Sequence, residues 1–130
     1  MRVLLILLLL ASPAHAFRCD VARVIDGDGW ICAGIAQPIR AFGYDAPDWN
    51  CRGRRNCALD PERAAAAKAH LEGLVLGKAL TCELDKIDRY KRLVARCFVG
   101  GLSIDCLMIK SGHGVEMERF TKGAYRGCRP

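Results

Sequence analysis

Beyond its first 16 residues the chain has no apolar run approaching the roughly 20 residues that cross a bilayer, and no linker, repeat or low-complexity segment. Those absences argue against an internal membrane span and against a division into several domains. There is no Cys-x-x-Cys pair and no cysteine–histidine pair at ligand spacing, which argues against a zinc-built fold. Histidine is scarce. His70 falls on a helical stretch and His113 lies between Gly112 and Gly114; neither has a sequence neighbour that suggests catalysis, and both read as structural or exposed.

What is present begins with MRVLLILLLLASPAHA, in which Arg2 precedes an apolar run and Ala14-His15-Ala16 offers small residues for a signal peptidase. The expected organisation is a signal peptide over residues 1–16 and one domain over residues 17–130, secreted or periplasmic, a monomer, with no membrane attachment after cleavage. The whole chain carries a formal charge of +6, and loss of Arg2 leaves the domain near +5. A basic surface suits an anionic partner such as nucleic acid, although many exported domains are mildly basic.

All 8 cysteines lie after the leader, and an even number in an exported domain implies a disulfide framework. Strand patterning narrows the pairings. Ala79 to Leu84 and Leu93 to Val99 alternate as strands, and a hairpin around Asp88-Arg89-Tyr90-Lys91 sets Cys82 opposite Cys97. Cys51 and Cys57 flank a short loop, and Cys106 with Cys128 form the last pair. Cys19 with Cys32 needs a bulge, because a tight Asp-Gly-Asp-Gly hairpin puts Cys32 opposite Arg23.

Phe17 to Ile25, Trp30 to Cys32 and Pro38 to Phe42 read as three further strands. Asp60-Pro61-Glu62 starts a helix whose apolar side carries Ala67, Leu71, Leu74 and Val75, with Gly77 as its stop. A short helix follows from Ser103 to Lys110, then an extended piece from Val115 to Met117 and a last helical turn near Thr121 to Arg126. Five strands with a helix between the third and fourth is the order of an OB-type barrel. The fold expected is therefore mainly β with helices (α+β), a five-stranded OB-fold β-barrel with two to three helices, stabilised by disulfides.

Carboxylates collect in two turn-rich stretches, Asp26 and Asp28 in the first and Asp45 and Asp48 in the second. Between them stands Arg40, and the Asp88 hairpin offers Arg89, Lys91 and Arg92. Carboxylates suit a hard divalent cation, and arginines suit a phosphate. Taken alone, Asp and Gly in alternation is most economically a turn. Trp30 and Trp49 flank the aspartate loops, where either could stack on a base or cover a barrel end.

The stretches "VIDGDGW", "IRAFGYDAPDW" and "DRYKR", in this order and separated by the long helix, resemble the staphylococcal nuclease (thermonuclease) family over about Val21 to Gly114. The resemblance implies an endonuclease acting on DNA or RNA phosphodiesters, with Ca²⁺ held by Asp28, Asp45 and the carbonyl of Ala46. It implies that Arg40 and Arg92 contact the scissile phosphate and that Asp48 occupies the position of the family's catalytic glutamate. Tyr90, flanked by Arg89 and Lys91, matches the phosphate-binding hairpin, while Asp26 shapes its turn. The alternative is a catalytically weak or inactive domain that binds nucleic acid or another anion.

The chain departs from the family pattern at four places. Asp48 is one methylene shorter than glutamate, and Gly29 stands where the family has a threonine hydroxyl. Lys91 replaces a hairpin glycine. Glu118 falls near a family tyrosine, with Tyr125 or Phe120 as substitutes close by.

Overall fold

The structure, a computed structural model, describes residues 16–47 and 60–130. Residues 1–15 of the expected signal peptide, Asp48, Trp49 and the Cys51–Cys57 pair lie outside the described residues. Strand β1 (Ala16–Asp26) alternates buried Cys19, Val21 and Val24 with exposed neighbours; it pairs antiparallel with β2 (Gly29–Cys32) on one side and β5 (Ala79–Ile87) on the other. β2 continues to β3 (Ile39–Ala41), and β5 to β6 (Leu93–Val99). A parallel pairing of β3 with β6 closes the ring, with Arg40 opposite Val94. Five strands in the order β1-β2-β3-β6-β5 thus form the closed OB-type barrel. The short β7 (Leu102–Ser103) extends β6 by a hairpin.

Helix α1 (Pro61–Val75) begins where Asp60 accepts a hydrogen bond from the Arg63 amide at 3.0 Å and where Pro61 fits the first turn. Its buried residues Ala64, Ala67, Leu71 and Val75 form one stripe at helical spacing, and the last three join the barrel core with Trp30, Ile39 and Leu80. Ser103 caps α2 (Ile104–Lys110), as the sequence predicts, by accepting from the Cys106 amide. Two residue pairs form a separate small ladder, β4 (Tyr44–Asp45) against β8 (Val115–Glu116).

The last helical turn differs from expectation. α3 spans Glu118–Thr121 and stops at Lys122, whose φ is +56°, before a 3-10 turn at Arg126–Cys128. The Thr121 hydroxyl donates to Glu116 and accepts from the Gly123 amide, so a side chain takes the place of continued helix.

Three expected disulfides are present. Cys82 and Cys97 are directly paired, with Cα atoms 4.0 Å apart. That register results from two compensating offsets: the turn is one residue wider than supposed, because the Asp88 amide bonds to the Arg92 carbonyl, and a bulge between Leu84 and Lys86 shifts the ladder back. Cys19–Cys32 needed a bulge and has two, between Val21 and Arg23 and between Val24 and Asp26. Cys106–Cys128 ties the chain end to α2. Each closed loop of this size contributes on the order of 3 kcal/mol in the chain-entropy account.

Candidate active site

The Asp-Gly-Asp-Gly stretch holds the two-residue turn, Gly27-Asp28, between β1 and β2. Asp26 accepts the Asp28 amide at 3.2 Å through Oδ1, which fixes the turn as the sequence suggests. Gly27 lets this turn approach two other elements: a Cβ there would lie 2.7 Å from the Ala46 Cβ and 2.8 Å from the Ala67 Cβ. The Tyr44 hydroxyl donates to the Gly27 carbonyl at 2.8 Å, and the Ala46 amide donates to Asp28 Oδ2 at 2.9 Å. Three contacts therefore carry Asp28 to the end of β4.

Arg40, on β3, reaches into the same place. Its guanidinium is 3.2 Å from Asp28 Oδ2 and 2.8 Å from Asp45 Oδ1, and donates to the Tyr44 carbonyl at 3.0 Å. The side chain is only 13% exposed, so these contacts fix its direction. Burial pushes the Asp28 carboxyl up to about 8, against the pull of Arg40, with Asp26 adding to the rise. Asp45 is half exposed.

Arg92 comes from the β5–β6 hairpin. Asp88 Oδ1 accepts the Tyr90 and Arg92 amides at 2.9 and 3.0 Å, and its Oδ2 accepts from Arg92 Nε at 2.8 Å. Asp88 thus shapes the turn and aims the arginine at once. Arg40 and Arg92 meet on one cleft of about 180 Å³, which Lys86, Met117 and Phe120 also line. Asp45 and Ala46 line a neighbouring cleft, so Arg40 stands between these two residues and the groove, whose charged lining also includes Asp85 and Asp88. Tyr90 is 63% exposed beside the groove; its hydroxyl accepts from Arg89 at 2.7 Å, and Arg89 and Arg92 stack over its ring at 4.8 and 5.3 Å. Lys91 sits at the hairpin tip.

Carboxylate oxygens from Asp28 and Asp45 with the Ala46 carbonyl are hard donors of the kind calcium takes, with water completing the shell. A carboxyl whose burial so disfavours its charge, with Asp26 next to it and one guanidinium facing two carboxylates, is a place where an added cation is stabilising. Among the described residues no three Asp, Glu, His or Cys side chains stand at ligand spacing.

Trp30 is fully buried in the barrel, with its indole N–H unpartnered among the described residues, and offers no surface to a base. Sequence reasoning gave no role to Tyr44, Asp88, Asp105 or Gly27. Asp105 is buried behind the Arg40–Asp45 loop, where it accepts from the Tyr125 hydroxyl at 3.0 Å and from the Gly43 amide. A Cβ on Gly43 would lie 2.7 Å from that carboxylate, so glycine is what lets the loop rest there. The available signal was Gly43 itself, between Phe42 and Tyr44.

Closed barrel, arginine-lined cleft and adjoining carboxylates together define an OB-fold domain with a charged cleft at its side. The profile of the family described as Staphylococcal nuclease homologue matches residues 38–126, and the chain belongs to that family of nuclease-type hydrolases. The match takes in Arg40, Asp45, Ala46 and Arg92; it starts after the Asp28 turn and ends beyond Gly114. Comparison with curated proteins returns no match.

Proposed function

We infer that this is an exported, calcium-dependent endonuclease that hydrolyses phosphodiester bonds of DNA or RNA. The observation that carries the reading is the position of Arg40, bonded to both Asp28 and Asp45 while lining the groove that holds Arg92. Two guanidiniums on one groove suit the non-bridging oxygens of a phosphate, because each offers paired, permanently charged donors. Their positive charge lies where the five-coordinate transition state gathers negative charge, and no reorganisation is needed when it does. Asp88 keeps Arg92 aimed, and Tyr44 and Ala46 keep Asp28 in place. Ca²⁺, when bound by Asp28, Asp45 and Ala46, would add Lewis-acid stabilisation of the phosphoryl oxygens. Asp48, two residues beyond Ala46 and outside the described residues, is the proposed base for the attacking water. Export is supported by the leader-like first 16 residues and by three disulfides, which persist in oxidising compartments.

The test is a cleavage assay on single- and double-stranded DNA and on RNA, with Ca²⁺ and with chelator. Cleavage that chelator abolishes is expected, with Arg40→Ala and Arg92→Ala each losing roughly 100-fold or more in kcat while circular dichroism is unchanged. If wild type binds nucleic acid but cuts none, and Asp48→Glu begins to cut, the domain is a binding module and the enzyme reading fails.

A further inference from the structure

Two half-buried histidines, unused by the hydrolytic reading, face one another across two elements. His70 lies on α1, one turn beyond buried Ala67; His113 follows α2, with its amide bonded to the Met108 carbonyl at 3.2 Å. Their ring centres are 4.6 Å apart and their planes are inclined at 32°. Forty-two residues separate them in sequence, so the meeting is made by the fold. Two imidazoles on one metal ion, each with a metal–nitrogen bond of about 2.0–2.1 Å, hold their ring centres about 4.5 Å apart at a right angle and about 5.2 Å apart at the tetrahedral angle. The observed 4.6 Å lies near the right-angle end of that range, within a small side-chain adjustment of the tetrahedral one.

We propose that His70 and His113 form a two-imidazole site for a borderline divalent transition-metal ion such as Zn²⁺, with water completing the shell. Imidazole nitrogen prefers such ions, whereas the all-oxygen set at Asp28 and Asp45 prefers hard ones, so the two sites sort cations by chemistry. A metal here does more than decorate the surface. Gly114 packs so closely on the Tyr44 ring that a Cβ would come within 2.6 Å, and Val115 pairs with Asp45 in the β4–β8 ladder. Joining His70 to His113 therefore ties α1 to the strand that carries Asp45. The site stands independently of whether the domain cuts nucleic acid.

Titration calorimetry of the protein with Zn²⁺ in calcium-free buffer, together with melting curves at matched zinc concentrations, tests the assignment. One zinc ion bound per chain and a raised Tm are expected; His70→Gln and His113→Gln should each weaken binding roughly tenfold or more, while Asp45→Asn leaves it unchanged. In wild-type protein, substoichiometric Cu²⁺ should broaden the ring-proton signals of both histidines first, a readout that needs no variant. The proposal is overturned by absence of zinc binding, by binding that survives both histidine substitutions, or by binding that disappears with Asp45→Asn, which would move the ion to the carboxylates.

Discussion

Lys91 holds a backbone conformation that its side chain disfavours. Its φ is +64°, in the left-handed region, at the tip of the hairpin that aims Arg92, and this is the position where the family pattern has glycine. The replacement was visible in the sequence, but its cost was not, because the dihedral belongs to a turn one residue wider than the pattern suggests. Lys91→Gly is expected to stabilise the fold by about 1 kcal/mol, read as a Tm higher by roughly 4–8 °C. An unchanged or lower Tm would mean that the turn carries no such strain. Gly29 is the opposite case. A Cβ there would come within 3.1 Å of Asp26 Oδ1 and 3.3 Å of the Ile39 carbonyl, so the space a threonine would take is already crowded by the carboxylate that fixes the turn.

Among the elements, the β1–β2 turn shows how a local motif acquires a role from its neighbours. Its turn character was legible from alternating Asp and Gly; its docking on α1 and β4 was not, since Ala67 and Ala46 gave no sign of facing Gly27. Gly27→Ala is expected to cost about 1–3 kcal/mol, because two methyl groups from different elements occupy the site a Cβ needs. Chemical denaturation measures this, and a loss under about 0.5 kcal/mol would show that the elements part easily. The helices and main strands were legible because caps, Pro61 and the buried stripe act locally. The C-terminal elements were not, because the Thr121 to Glu116 contact that ends α3 depends on β8 being held by β4. The same limit applied to the two histidines, whose meeting no spacing could reveal.

For the molecule as a whole, the buried Asp105 couples fold stability to pH. Burial raises its carboxyl to about 6 despite the Tyr125 hydroxyl, the Gly43 amide, Arg96 and Arg40. The native state thus favours the neutral acid, and its contribution is full below about pH 4 and is lost as pH rises through about 6. Relative to wild type, Asp105→Asn should gain stability between those limits by up to about 3 kcal/mol, measured as the difference between denaturation midpoints across pH. A pH-independent difference would contradict the assignment. Barrel closure has a consequence of another kind. Arg40 sits opposite Val94 in the β3–β6 pairing, and Arg92 lies just before β6. A one-residue slip between those strands would turn Arg40 to the other face, and a two-residue slip would carry it about 6.6 Å along the strand. The gap between the two guanidiniums is therefore gauged in whole steps by the barrel, so drift in the loops can change what lies around the groove without gradually retuning its jaws.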